Sequence, residues 1–322
     1  MTGIGRGGGR MMRRGLFGVA VAGAMALTVM GAAAGADAAT KARKDKAPPG
    51  PSPIAWSTAS GPSGGPAQAI GGYASGCLAG GVPLAGEGTG YQVIRLSRHR
   101  NYGHPVLVDY LRDFGRKVAG AGLGTALIAD MAQPRGGPMR FGHASHQSGL
   151  DADVWLRLDL PPMGRNARES LDEIKYVDYD REQVTPQWSA KQSEMVRIAA
   201  SDLRVNRIFV NPAIKAALCE RNWPDRAWLN KVRPWHGHDG HMHVRLDCPP
   251  GSPQCEPQRE LPPGDGCGEE LESWLRKAVP AREIPPEKAR PPSPRLPAAC
   301  TAVLRAGTRM ASADVLRIGD ND

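Results

Sequence analysis

The chain contains no CxxC pair, no HExxH string and no SxxK string. The first absence excludes a structural zinc site built from four cysteines. The second removes the glutamate base of the common zinc proteases, and the third leaves no serine nucleophile of that type. A formal net charge of +9 is accompanied by no recognised nucleic-acid-binding motif, so the chain is not expected to bind nucleic acid.

What the sequence does hold is a concentration of histidine. Six of its eight histidines, His143, His146, His236, His238, His241 and His243, fall in two short clusters. The first cluster opens Gly142-His143-Ala144-Ser145-His146-Gln147-Ser148-Gly149-Leu150-Asp151-Ala152-Asp153 and runs into an alternating pattern. From Asp151 to Leu158 one parity holds Asp151, Asp153, Trp155 and Arg157, and the other Ala152, Val154, Leu156 and Leu158. Side chains of a strand alternate between faces, so this is a half-buried strand with a polar upper face. About ninety residues later the pattern returns, with His241, His243 and Arg245 on one face and Met242, Val244 and Leu246 on the other. Laid side by side in one sheet, the two strands would bring His146, Asp153 and His243 to one point. A lone Asp at a strand start commonly caps or turns, and a lone His commonly serves structure. Two clusters, each leading into a strand, are poorly explained that way. Imidazole nitrogen and carboxylate oxygen are zinc's usual donors other than thiolate.

Residues 1–38 have the form of a signal peptide: basic Arg6, Arg10, Arg13 and Arg14, an apolar run from Leu16 to Gly35, and Ala36-Asp37-Ala38 as cleavage site. Cleavage near Ala38 would leave no stable membrane span, although an uncleaved run of about 20 residues is long enough to cross. Removing this segment lowers the net charge to +6, a modest excess compatible with an anionic wall polymer. All six cysteines (Cys77, Cys219, Cys248, Cys255, Cys267 and Cys300) lie beyond the cut, which fits export and up to three disulfides, with fifteen pairings open.

The rest divides into a flexible leader (39–72), a catalytic domain (73–279), a Pro-rich linker (280–297) and a tail (298–322) tied back by Cys300. Within the domain, Tyr91–Leu96 and Thr125–Ala129 read as strands. Pro105 opens a helix with Leu107, Leu111, Phe114 and Val118 at helical spacing. Ser189 with Gln192 forms a capping box, and Asn211-Pro212 starts a further helix. Residues 159–188 read as a long surface excursion.

These strings resemble the penicillin-insensitive murein endopeptidases, within the wider group of zinc peptidases related to lysostaphin and the D-Ala-D-Ala peptidases. The resemblance rests on Arg100-Asn101-Tyr102-Gly103-His104-Pro105, the string 142–153, Arg207 to Pro212, Val232-Arg233-Pro234-Trp235, and the HxxHxH of His238, His241 and His243. It implies an α+β fold around a small antiparallel sheet carrying a zinc site on one face. His146, Asp153 and His243 would hold the zinc, with His143 close enough to reach it. His241 would be the catalytic histidine and His238 a second site histidine. It further implies the pairings Cys77–Cys300, Cys219–Cys267 and Cys248–Cys255. Some relatives carry an extra zinc between subunits; here the matching positions are Asp180 and Gln183, so a second zinc site and a homodimer stay open. The expected function is a periplasmic zinc endopeptidase cleaving D-alanyl–meso-diaminopimelyl cross-links in peptidoglycan. The alternatives are a D,D- or L,D-carboxypeptidase on stem peptides and a non-catalytic wall-binding scaffold.

Overall fold

The computed structural model describes residues 51–276 and 295–308. The expected signal segment, most of the 280–297 linker and the chain beyond 308 lie outside the described residues. The architecture is α+β, with helices packed around a seven-stranded sheet. Across that sheet the strands run Val232–Pro234, Val205–Val210, His241–Leu246, Asp151–Trp155, Ala126–Ile128, Tyr91–Val93 and Glu87–Gly88. The two His/Asp strands lie antiparallel at its centre, with His243 opposite Asp153, His241 opposite Trp155 and Arg245 opposite Asp151.

The antiparallel centre agrees with expectation, but the sheet is larger and mixed. Val205–Val210 runs parallel to Val232–Pro234, and Tyr91–Val93 runs parallel to Ala126–Ile128. Parallel neighbours cannot be joined by a hairpin and need a crossover. The helices Pro212–Glu220 and Pro105–Gly120 lie on those crossovers. Each starts as its sequence dictates, with proline in the first turn and a side chain accepting from the backbone: Asn211 from the Ala213 N–H, and His104 from the Val106 N–H. Ser189 and Gln192 make the capping box of the helix Ala190–Ala200. Beneath the sheet, Ala152, Val154, Met242, Val244, Ile208 and Val210 join Leu107, Leu111, Phe114 and Val118 in one core. Fully burying an aliphatic side chain of Val or Leu size contributes about 1.5–3 kcal/mol.

Two expectations need correction. The Asp151–Trp155 strand is buried on both faces, not one. Part of the excursion 159–188 folds over its Trp155 end: Leu160, Met163 and Leu171 pack on the cluster of Ile94, Leu127, Ala129 and Trp155. The leader also does not extend to residue 72. Residues 53–57 are helical, Gln68–Gly72 pairs with Ser75–Ala79, and Trp56 is fully buried. Trp56 anchors a second, smaller core with Ile70, Cys77, Cys300 and Val303. Gly137, at φ +72°, lets the backbone approach it, since a Cβ there would meet the indole at 2.2 Å. A Pro/Ser/Gly-rich stretch gives little compositional sign that one tryptophan will fasten it.

Cys77–Cys300, Cys219–Cys267 and Cys248–Cys255 are bonded, in the nested order that the resemblance implies. The first closes the smaller core, and Arg135 reinforces it by donating to the carbonyls of Gly61, Val303, Leu304 and Ala306. Among the described residues no helix is long and apolar enough to cross a membrane. Replacing Cys77 and Cys300 together by serine should lower the unfolding free energy by about 2–4 kcal/mol. Urea titration followed by tryptophan fluorescence checks this, and an unchanged midpoint would show that the terminal clamp adds no stability.

Candidate metal centre

The loop 142–149 delivers His143 and His146 to the upper face of the central strands. Gly142 (φ +93°) and Gly149 (φ +75°) turn the chain at its ends. His146 itself adopts φ +67°, a conformation costing a non-glycine residue about 1–3 kcal/mol. Its backbone N–H donates to Asp151 Oδ2 at 2.9 Å, which holds it there. Arg245 in turn holds Asp151, through Nε to Oδ1 (2.7 Å) and Nη2 to Oδ2 (3.1 Å). The Arg245 guanidinium stacks on the Tyr73 ring (4.2 Å) and lies over Phe209 (5.2 Å).

Around Asp153 the donor atoms converge. His243 Nδ1 lies 3.0 Å and His146 Nε2 3.5 Å from Asp153 Oδ1, while His143 Nδ1 lies 3.4 Å from Oδ2. The donor atoms of His143, His146 and Asp153 all fall within 4.8 Å of one another. The His146 ring has His143 at 4.6 Å and His243 at 4.7 Å between centroids. Other acceptors orient the outer nitrogens. His143 Nε2 donates to Asp130 Oδ2 (3.0 Å), an oxygen shared with Arg100 (2.7 Å) and Arg98 (3.2 Å). His243 Nε2 rests against the Asp151–Arg245 pair, 3.4 Å from each.

This set fits a metal ion. Both ring nitrogens of His146 and Asp153 Oδ1 are buried with no hydrogen-bond partner, although each such group left unsatisfied costs about 1–3 kcal/mol. Tetrahedral zinc with donors at about 2.0–2.1 Å has donor–donor edges near 3.3–3.4 Å, close to the spacings around Asp153. The charges point the same way. Burial opposes ionisation of Asp151 and Asp153, yet Arg245 and His243 hold the first, and the neighbouring imidazoles the second, below the ordinary carboxylate range. Asp151 has Arg245, whereas among the described residues every ion-pair partner of Asp153 is a histidine. Burial pushes His146 below its ordinary value, toward the neutral form that ligates. Against the same burial, Asp151 and Asp153 push His243 up to about 9.

Two further imidazoles stand over this cluster. His241 Nδ1 meets Glu173 Oε1 at 2.6 Å, and its Nε2 lies 3.8 Å from Asp153 Oδ2. His238 (φ +48°) donates from Nδ1 to the His236 carbonyl at 3.0 Å, leaving Nε2 as its acceptor. Burial and the nearby His241 and His243 push His238 down to about 3, so it is neutral. Exposed Phe141 adjoins Arg100, and exposed Trp235 packs on Phe209 beside His243. Asp180 and Gln183 are both exposed, with the Asp180 N–H donating to Asp178.

Sequence reasoning missed Asp130 and Glu173. Asp130 had a faint signal, being the first charge after the apolar strand Ala126–Ile128. Glu173 had none, since it lies in an irregular polar segment.

Buried histidine and carboxylate donors, with two more imidazoles at the rim, define a hydrolase-type centre able to hold a metal. The sequence model of the family described as penicillin-insensitive murein endopeptidase matches residues 69–305. A protein of that name from Haemophilus influenzae is 43% identical over 262 residues, 80% of this chain and 91% of that protein. Those from Klebsiella pneumoniae and Yersinia enterocolitica are 46% and 47% identical over 250 residues, in each case 77% of this chain and 90% of the relative. The chain belongs to the penicillin-insensitive murein endopeptidase family and is a peptidase.

Burial opposes ionisation of Glu173, but hydrogen bonds from His241 and Lys175 bring it from an ordinary 4.5 to about 2. A carboxyl depressed by folding contributes stability that is complete above its unfolded value and lost as pH falls through its folded one. In chelator-treated protein, the stability advantage of the parent over Glu173→Gln should therefore be full above pH 4.5 and shrink toward pH 2. Urea denaturation across that range reads it, and an advantage that grows with acidity would contradict the assignment.

Proposed function

We propose that this chain is an exported zinc endopeptidase that hydrolyses peptide cross-links in peptidoglycan, at the bond from D-alanine to meso-diaminopimelate. The convergence of His146, Asp153 and His243 beneath His241 and His238 carries the reading, in a chain 43–47% identical to proteins named murein endopeptidases. The three disulfides and the signal-like residues 1–38 support the periplasm as its compartment. Insensitivity to penicillin fits this reading, because the attacking group is a water and not an acylable serine, and no SxxK string occurs.

His146, Asp153 and His243 would hold the zinc, with His143 Nδ1 as a fourth donor in reach. When bound, zinc would polarise the scissile carbonyl and lower the pKa of a water toward about 7. The chain's own groups then handle the protons. His241 Nε2 takes the proton of the attacking water and delivers it to the departing amine nitrogen. His238, neutral and with Nδ1 tied to the His236 carbonyl, accepts a hydrogen bond from that water at Nε2 and orients it. Phe141 and Trp235 offer apolar surface for the two stem peptides.

Purified cross-linked muropeptide dimers test the reading. The zinc-loaded protein should split dimers into monomers, and chelation should abolish this. Monomers that only lose a terminal residue would make it a carboxypeptidase, and no turnover at all would make it a scaffold. His243→Ala should lose its zinc by elemental analysis. His241→Ala should keep most of its zinc yet cleave about 10²–10⁴-fold more slowly, with His238→Ala falling less far. If His241→Ala and His238→Ala both cleave normally, imidazole proton transfer is the wrong mechanism.

A further inference from the structure

The irregular segment after Leu171 is fastened to the turn that precedes the His241 strand. The Tyr176 N–H donates to the Asp239 carbonyl at 2.7 Å. Lys175 Nζ reaches Asp239 Oδ1 at 2.6 Å, and the Tyr179 hydroxyl donates to Asp239 Oδ2 at 2.7 Å. Gly240 makes the close approach possible: a Cβ there would lie 2.5 Å from Glu173 Cγ and 2.6 Å from the Ile174 carbonyl oxygen. In the space so kept, Glu173 places Oε1 2.6 Å from His241 Nδ1, while Oε2 accepts from Lys175 at 2.9 Å. Both carboxylate oxygens are thus engaged, one on the imidazole and one on a lysine that is itself anchored.

A carboxylate only accepts, so the proton between Glu173 and His241 sits on Nδ1, and Nε2 is the nitrogen turned toward the metal cluster. A half-turn of the ring about its Cβ–Cγ bond, which would exchange the two nitrogens, would break this charge-assisted bond, a kind roughly twice as strong as a neutral one. We infer that Glu173 is a positioning residue for cross-link cleavage: it fixes the tautomer and ring orientation of His241, with Lys175 and Asp239 holding the carboxylate in place. The inference rests on the reading of His241 as proton carrier. It assigns a role to a part of the long excursion that neither the histidine pattern nor the donor set required.

The test is a double-mutant cycle on the zinc-loaded protein with muropeptide dimers, joined to nitrogen NMR of imidazole-labelled protein. Glu173→Ala should lower kcat about 10–100-fold, the usual cost of losing a group that orients a site ligand or its neighbour. KM should change less than about twofold, and zinc content should match the parent. Glu173→Gln, which keeps an acceptor without the charge, should fall between Glu173→Ala and the parent. In the NMR spectrum, the His241 resonance, assigned by its loss in His241→Ala, should show the Nδ1–H tautomer in the parent and shift toward Nε2–H in Glu173→Ala. In the His241→Ala background, Glu173→Ala should cost nothing further. An equal loss in both backgrounds would mean that Glu173 merely staples the segment, and would overturn the inference. A normal kcat in Glu173→Ala with a deficient His241→Ala overturns the inference alone. A normal kcat in His241→Ala removes the proton-carrier reading and the inference with it.

Discussion

Asp151 is not among the candidate metal donors, yet the donors depend on it. Its two oxygens accept both arms of Arg245 and the backbone N–H of His146, and His243 rests against the same pair. Asp151 and Arg245 are both buried and sit opposite each other on the two central strands. Removing either partner would strand a charge in the interior, at about 3–5 kcal/mol. A buried ion pair is weak as a source of net stability and better understood as a device for specificity. Here it fixes strand register, because a one-residue slip would carry His243 and Arg245 to the apolar face and Met242 and Val244 to the polar one. The same contact offsets the strained backbone of His146. Register, loop conformation and imidazole orientation are therefore set by one interaction.

The crossovers explain why the site lies at the middle of the sheet and not at an edge. Strand–helix–strand units on both flanks place parallel neighbours outside the two antiparallel site strands. Both site strands thereby have a hydrogen-bonded neighbour on each side, which holds their side chains to the pleat. Phe209, on the neighbouring strand opposite His243, fills the space between Arg245 and Trp235. A donor set built on central strands keeps its spacing far better than one carried wholly on loops.

How much of this was legible in the sequence follows from periodicity. Alternation over Asp151–Leu158 and His241–Leu246 predicts which side chains share a face, and the observed register puts His243 opposite Asp153. Alternation reports only what one strand does, and it is silent on what covers the polar face. The both-sided burial of Asp151–Trp155 was therefore not visible: Leu160, Met163 and Leu171, which pack beside Trp155, come from a segment with no period, and the side chains over Asp151 and Asp153 come from a separate loop and strand. Glu173 was hidden for the same reason, its partner being 68 residues away. The parallel pairs were hidden differently. Each crossover helix was readable from its proline and cap, but which strands it would bring together is a long-range matter that local signals do not encode. Trp56 shows the limit of composition, since one side chain fastens a stretch that otherwise looks like linker.

The five clustered site imidazoles divide by which nitrogen the protein ties down. His143 and His243 turn Nε2 outward, to Asp130 and to the Asp151–Arg245 pair, and present Nδ1 to Asp153. His238 and His241 do the reverse, tying Nδ1 to the His236 carbonyl and to Glu173. Nδ1 lies close to the backbone, so rings that use it keep their working nitrogen deep beside the strands. Nε2 is the far tip of the ring, so rings that use it extend toward the rim where a substrate enters. His146 is the exception, with neither nitrogen hydrogen-bonded and the ring wholly buried between its neighbours. Its position is imposed through the backbone instead, by the bond to Asp151. The histidine whose orientation no side-chain hydrogen bond determines is thus one held through its main chain. His238 and His241, the two that stand over the cluster, are those whose near nitrogen is tied down by the protein.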